Sequence, residues 1–566
     1  MSGTGPGAAD FSNAPPATLA GSLMVVPVHV LELRAEVSFD AVRGTSVAAA
    51  TMDYRVGPTG GNPFFDLRQS VDSCWLDGVP LDPEMIGGCD VGAGPAGSVR
   101  VLRRFQDRGS VHSLRFRYRL GLPHAELGGA SPPVLEWSDG PALRWTLGMS
   151  DLFAGRYLEA WFPSNLPFDQ FPVTLNITLT GTEVAHVLIS NGDVAVGGPG
   201  RWSVAFPASF TTLSHLVELR PAATVEGQKS TVVLPVSGTA VTVEAWKCSA
   251  GPEDLGHELG RIESLLAQNE ADYGRFPGNR FVCFFNGNRG GMEYHHGATT
   301  SRRALAHEVF HSWFSRGVMP ASQADGWWDE AFTSYHEHGA GQLEAFDFNE
   351  APVELCSRRP FDRRTAVNAY PDGSRFFRGL ADALGVERLR ACMRAVYARH
   401  CSAPLSTIGL EADILVAGGE PSVVDAFHRF VYGLPDPSPA PKLRLHGLAA
   451  RGAGDRIRVS VSNDSGGGPC RHFMVVFSLA GAATGAERAA GACRNIAATG
   501  GFDLQPGEER EVWTTASEAL IQRSWTGTML VASVHARGCD PSPRTRVSAL
   551  LPPAQATSAS QFPAPA

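Results

Sequence analysis

Between Ala304 and Glu337 the chain carries the pattern that most limits how it can fold. At its centre stands His307-Glu308-Val309-Phe310-His311. On a helix, that four-residue step puts both imidazoles on one face a turn apart, where they can reach a single metal ion. Glu308 lies beside them, placed to take a proton from a water that the metal polarises. Eighteen residues separate His311 from Glu330, within Trp327-Trp328-Asp329-Glu330-Ala331-Phe332-Thr333-Ser334-Tyr335-His336-Glu337. A hydrolytic metal site needs three protein ligands and one open position, and Glu330 supplies the third. Glu337 follows seven residues later, about two helical turns on and so on the same face. From there its carboxylate can accept the second ring N–H of a ligating histidine.

These residues resemble the gluzincin zinc aminopeptidases of peptidase family M1, the alanyl/leucyl aminopeptidase and leukotriene A4 hydrolase type. That family carries H-E-x-x-H, eighteen residues and then E, in a W-x-N-E-G-F-A-x-Y-x-E context. The chain matches the spacing and departs by Asp329 for Asn and Ala331 for Gly, while Trp313-Phe314 stands where H-Q-W-F is common. The resemblance implies one Zn²⁺ per chain held by His307, His311 and Glu330, with Glu308 as general base.

Further motifs lie on either side. Gly290-Gly291-Met292-Glu293-Tyr294 reads as a backbone that approaches something closely with a carboxylate displayed beside the glycines. Its family counterpart is G-x-M-E-N, an edge strand that pairs with bound peptide and whose glutamate holds the free α-ammonium group. Thirteen residues separate Glu293 from His307, a short interval for the family. Thr299-Thr300-Ser301 and Phe332-Thr333-Ser334-Tyr335 look more like the glycyl aminopeptidases. Downstream, Tyr370-Pro371-Asp372-Gly373 resembles the family's Y-x-K-G, with Asp372 in place of lysine. The resemblance gives Tyr370 the oxyanion, a role a phenol beside a metal can fill, with Tyr397 and Tyr335 as fallbacks.

A chain of 566 residues is too long for one core. Its 62 glycines and 40 prolines suit several loop-rich β-domains. A formal charge of −9, without a basic stripe interleaved with aromatics, gives no support to nucleic-acid binding. No apolar run is long enough for a membrane span, and the Gly/Ala/Pro/Ser-rich start lacks the positive n-region of a secretory signal. Ten scattered cysteines fit a reducing, cytoplasmic setting. Cys74 with Cys89 and Cys470 with Cys493 are the pairs to consider if the protein is exported.

In order, the chain reads as strands over 26–39, 99–105, 111–120, 156–163 and 173–180, then a second β block over 202–243. Trp161-Phe162-Pro163 and Ser190-Asn191-Gly192 are similar to a run in the family's N-terminal β-domain. Helices are expected over 252–274, 374–384, 386–400 and 422–432, and a buried strand over 280–285. Short strands after 455 have the pattern of an immunoglobulin-like sandwich.

The expected architecture is multidomain α+β. Disordered tails at 1–22 and 553–566 flank an N-terminal β-domain (23–240), a thermolysin-like zinc catalytic domain (241–434), a Pro-rich linker (435–442) and an immunoglobulin-like β-sandwich (443–552). The expected function is a zinc metallopeptidase, an aminopeptidase acting on peptides with a free N-terminus. Alternatives are a processing endopeptidase, a non-peptide (epoxide-type) hydrolase on the same zinc site, and an inactive β-domain scaffold.

Overall fold

Alternation builds the first layer. In the strand Val28–Asp40 the apolar residues Leu33, Ala35, Val37 and Phe39 are buried while the residues between them are exposed or half-buried, as period-two side-chain geometry requires. The strand forms a long antiparallel pair with Thr45–Val56 and a parallel pair with Val173–Thr180. These three belong to an eight-stranded mixed sheet. A five-stranded and a four-stranded sheet complete the N-terminal β region, over a core that includes Trp145, Trp161 and Tyr118.

The computed structural model describes the chain except residues 1–10, 93–97, 130, 139–140, 288–289, 348–349, 358, 363, 419–420, 450–455, 481–492, 518–528, 540–544 and 551–566. Those exceptions include part of the N-terminal and all of the C-terminal segment expected as tails. The rest of the N-terminal segment departs from expectation: Thr18–Ala20 is a strand paired with Leu23–Val26, and Ala14 and Ala20 pack against a small apolar cluster. Residues 156–163 also depart from the strand reading. They form a 3₁₀ turn at Leu158–Ala160 with both faces buried, because Trp161 Nε1 donates to Leu147 O at 2.7 Å instead of pointing outward.

A second, five-stranded sheet carries the site. Its order is Val225–Val233, Ala240–Cys248, Arg280–Phe285, Gly297–Thr300 and, at the edge, Met292–Tyr294. Helix α1 (Leu255–Tyr273) opens where Asp254 accepts from the backbone N–H groups of Gly256 and His257, an N-cap that satisfies two orphan donors. It ends at Gly274, whose φ of 119° suits glycine. Helices α2 (Leu305–Phe310) and α3 (Trp327–His338) hold the metal-ligand motif. Tyr273, Phe310, Phe314 and Phe332 clamp α1, α2 and α3 through ring contacts of 4.8–5.9 Å.

The chain divides into two compact units, each discontinuous in sequence. The first joins the β-rich N-terminal region to the sheet and helices just described, in residues 1–345, 355–378 and 397–406. The second holds residues 346–354, 379–396 and 407–566, including the segment read as a linker. In it, three- and four-stranded sheets enclose a core of Ile457, Val459, Phe473, Val475 and Leu530. The unit also contains two helices of the chain's later part, α6 (Thr407–Gly418) and α7 (Pro421–Phe430), which follow α4 (Pro371–Leu384) and α5 (Val386–His400) in sequence. Helix α6 lies outside the helices that the sequence pattern predicts: its apolar residues run all round it, with no helical stripe to read.

No described helix is long and apolar enough to cross a membrane. Cys74, Cys89 and Cys470 carry free thiols. Cys470 pairs across the sheet with Leu504, whereas Cys493 pairs with Ala480 at the far end of the same strand, so the two positions considered for a bridge in an exported protein stand at opposite ends of the strand.

Candidate active site

The motif histidines meet Glu330 as the spacing requires. Ligand atoms of His307, His311 and Glu330 all lie within 4.8 Å of one another. His307 Nε2 is 3.1 Å and His311 Nε2 3.5 Å from the same Glu330 oxygen. The tautomers follow from the opposite edges of the rings. His307 Nδ1 donates to Glu337 Oε2 at 3.1 Å and His311 Nδ1 to the Phe314 carbonyl at 3.1 Å, which leaves both Nε2 lone pairs turned toward a carboxylate. Nitrogens so placed against a carboxylate need a cation between them, either a proton or a metal ion. His311 Nε2 is buried without a hydrogen-bond partner, and two imidazoles with one carboxylate are the donor set of a hydrolytic zinc site. The residues fit a zinc ion.

The electrostatics show a cluster that attracts a cation, a proton on the rings when no metal is held. Burial alone would raise Glu330, but His311 and His307 hold its carboxyl well below the usual range. Burial likewise works against the charge of His307, yet Glu330 and Glu337 raise it well above an ordinary imidazole. Glu308 is different: burial pushes its carboxyl up to about 8, against the pull of both histidines. A side chain there must meet close packing, since a Cβ on Gly291 would stand 2.4 Å from Glu308 Oε1. Only glycine lets the Met292–Tyr294 edge strand run this close to the acid.

The triad opens into a cavity of about 320 Å³ that also takes in Gly290, Gly291, Met292, Glu293 and Tyr370. Tyr370 stacks near His307 at 6.2 Å and bonds to Glu330, and burial, then Glu330 and Asp151, raise its hydroxyl well above the ordinary range. The fallback tyrosines lie elsewhere: Tyr397 donates to Arg275 O at 2.6 Å, and Tyr335 packs against Phe332 and Phe377.

Glu293 is buried but already partnered. Its Oε1 accepts from Arg316 Nη2 at 2.8 Å and from Ser315 Oγ at 3.1 Å. Arg316 has no motif of its own and was not legible in the sequence; the same holds for Asp151. Asp151 lines the cavity too, and burial, with Glu330 and Glu293 adding to it, pushes its carboxyl up to about 7. Asn191 of the Ser-Asn-Gly run has a clear task. Its Nδ2 donates to His295 O at 2.6 Å and to Ser214 O at 2.7 Å, and its Oδ1 accepts from Leu216 N at 2.8 Å. It thereby ties the hairpin after the edge strand to the β-rich region.

No family model matches the sequence, and no curated protein does. Solved structures do. An M1 zinc metallopeptidase from Deinococcus radiodurans shares 17% identity, with a TM-score of 0.52 over 76% of this chain and 99% of that one. A variant of the D. radiodurans enzyme bound to a Tyr-Ser-Ala substrate gives 0.53 at 16% identity, over 76% of this chain and 99% of that one. Aminopeptidase A of Legionella pneumophila, in complex with aspartic acid, gives 0.54 at 12% identity, over 86% of this chain and 57% of that one. At such identities the likeness speaks for architecture, and the fold of this chain is that of the M1 zinc metallopeptidases.

Proposed function

We propose that the protein is a zinc-dependent aminopeptidase that removes N-terminal residues from peptides. The observation that carries this reading is the convergence of His307 Nε2, His311 Nε2 and Glu330 in one cavity with Glu308 and two further acids, Glu293 and Asp151. Zinc bound by the triad would supply Lewis acidity to the scissile carbonyl and to the attacking water. The chain's own groups do the rest. Glu308, in its ionised form, takes a proton from the water and hands it to the leaving amine. Tyr370 donates from its hydroxyl to the oxygen that becomes negative, a contact worth most in the transition state.

Glu293 and Asp151 hold the substrate's α-ammonium group. Arg316 offsets the charge of Glu293, so Asp151 shares the task, and the pair makes the enzyme count from the free N-terminus. The resemblance of the stretch 241–434 to a thermolysin-like catalytic domain, and of 443–552 to an immunoglobulin-like sandwich, belongs to the same reading.

The test joins metal content to turnover. Wild-type protein and Glu308→Gln are assayed for zinc and for hydrolysis of a panel of aminoacyl amides and their N-acetylated forms. The reading expects one zinc per chain in both proteins, turnover in the wild type alone, and no cleavage of acetylated substrates. Zinc-loaded wild type that cleaves acetylated peptides would replace it with an endopeptidase.

A further inference from the structure

Acidic side chains outnumber basic ones in the cavity, and among the described residues Arg156 and Arg303 are the arginines of its lining. Arg156 is fully engaged. Its guanidinium donates to the carbonyls of Gly148, Glu126, Gly128 and Ser131 at 2.6–3.2 Å, and it is 1% exposed. It braces the loop beside the site. Arg302, next in sequence to Arg303, is also committed, with Nε 2.8 Å from the buried Glu258. Arg303 differs from both. It is exposed, lines the cavity, and among the described residues joins no carboxylate by a hydrogen bond or ion pair; its charge reaches Glu337 only at longer range.

Its place gives the charge a direction. Glu293 groups with His311, Asp329 and Glu330, their ligand atoms within 4.8 Å of one another. Arg303 stands in the turn that leads into α2, where Ser301 Oγ accepts from Ala304 N at 3.3 Å. It precedes His307 by one helical turn and His311 by two, which is about 12 Å of helix rise between the Cα atoms of Arg303 and His311. The metal triad therefore lies between the acids near His311 and the arginine before His307, where Glu337 is already engaged with the His307 ring. A peptide whose ammonium group meets Glu293 and whose first peptide bond meets the triad sends its leaving residue toward Arg303. Two extended residues span about 7 Å, and the arginine side chain covers the remainder.

We infer that Arg303 recognises a carboxylate on the leaving-group side of the scissile bond, and that short peptides, dipeptides first, are preferred because their C-terminal carboxylate falls there. The inference rests on the aminopeptidase reading and adds to it the substrate class. A guanidinium fork matches a carboxylate in two hydrogen bonds. In a cavity lined by several acids, an exposed guanidinium is a group that can receive such an anion.

The test compares kcat/KM on Ala-Ala, Ala-Ala amide and Ala-Asp amide for the wild type, Arg303→Gln and Arg303→Lys. Calorimetry of Ala-Ala and Ala-Ala amide binding to Glu308→Gln, with and without Arg303→Gln, reads the same preference without turnover. The wild type should favour Ala-Ala over its amide by about tenfold in both kcat/KM and affinity, the worth of one charge-assisted contact at a partly exposed site. Arg303→Gln should bring both ratios to about one, and Arg303→Lys should keep part of the preference. Equal treatment of acid and amide by the wild type, or a preference that survives Arg303→Gln, overturns the inference. Favouring Ala-Asp amide over Ala-Ala overturns the C-terminal assignment and gives the site to an acidic side chain. Failure of the aminopeptidase reading is visible separately, as absent turnover of all three substrates, and the binding ratios then decide Arg303 alone.

Discussion

Glu337 Oε2 lies 3.1 Å from His307 Nδ1, and this one contact decides which nitrogen of His307 faces Glu330. With Nδ1–H committed, loss of the Nε2 proton presents that lone pair to a metal without any change of tautomer. Glu337→Ala should therefore lower zinc affinity by about 10–100-fold, the usual effect of removing a partner behind a ligating histidine. Glu337→Gln, which can still accept the N–H but lacks the charge, should fall between. Competition with a chelator of known affinity measures both, and equal affinities in all three proteins would mean that Glu337 is only a surface carboxylate.

Gly291 offers a sharper steric test. A Cβ there would sit 2.4 Å from Glu308 Oε1 and 2.5 Å from its carboxyl carbon, closer than any real contact. Either the edge strand or the acid must move, and displacement of a catalytic group by about 1 Å can cost about 100-fold in rate. Gly291→Ala should thus lose about two orders of magnitude in kcat while its zinc content stays at the wild-type level, because the three atoms nearest that Cβ all belong to Glu308 and none to a ligand. Full activity in the variant would remove Glu308 from the chemistry or the strand from its neighbourhood.

The parts of this architecture that were legible in the sequence are those with a fixed period or spacing. Helices α1 and α5, the strands Arg280–Phe285 and Val173–Thr180, and the meeting of His307, His311, Glu330 and Glu337 all follow from side-chain geometry along one element or between adjacent ones. What was illegible depends on long-range packing. Residues 156–163 look like a strand because they are apolar on both faces, yet Trp161 turns inward to Leu147. Asp151 and Arg316 carry no motif, and they matter only because the fold sets them beside Glu293. Arg302 and Arg303 are indistinguishable in sequence, and only the burial of Glu258 separates their tasks.

Arg316 and Glu293 form an ion pair in which each side chain is 4% exposed. Removing one member strands the other in a low-dielectric setting, which typically costs about 3–5 kcal/mol. Arg316→Met should destabilise the protein by that amount in urea unfolding. Restoring neutrality with Arg316→Met/Glu293→Gln should recover much of the loss, since a buried pair and a neutral replacement are often close in stability. The double variant separates stability from function: it should fold well and yet depend less on a free α-amine, with Asp151 alone left to hold that group. A single variant as stable as the wild type would show that Glu293 is not held by this pair.

Acid should unfold the protein partly through histidines that have nothing to do with the metal. His215 and His296 are buried among Phe206, Phe210 and Phe276, and burial holds them down at about 3 and about 4. Both ring nitrogens of His215 lack partners, so a proton there has nothing to offset its charge. In the unfolded chain both imidazoles titrate near the ordinary value of about 6.5. Above that pH both states are neutral and the stability is complete. Below it the unfolded chain takes up protons that the folded chain refuses, so stability falls by about 1.4 kcal/mol per pH unit for each histidine. The fall from His296 ends near pH 4 and that from His215 near pH 3, where each is protonated in the fold as well. Urea unfolding between pH 7 and pH 5 reads this slope. His215→Phe keeps an aromatic ring and removes the proton site, and it should reduce the slope by about 1.4 kcal/mol per pH unit; an unchanged slope would mean that His215 is protonated in the folded protein or is not buried there.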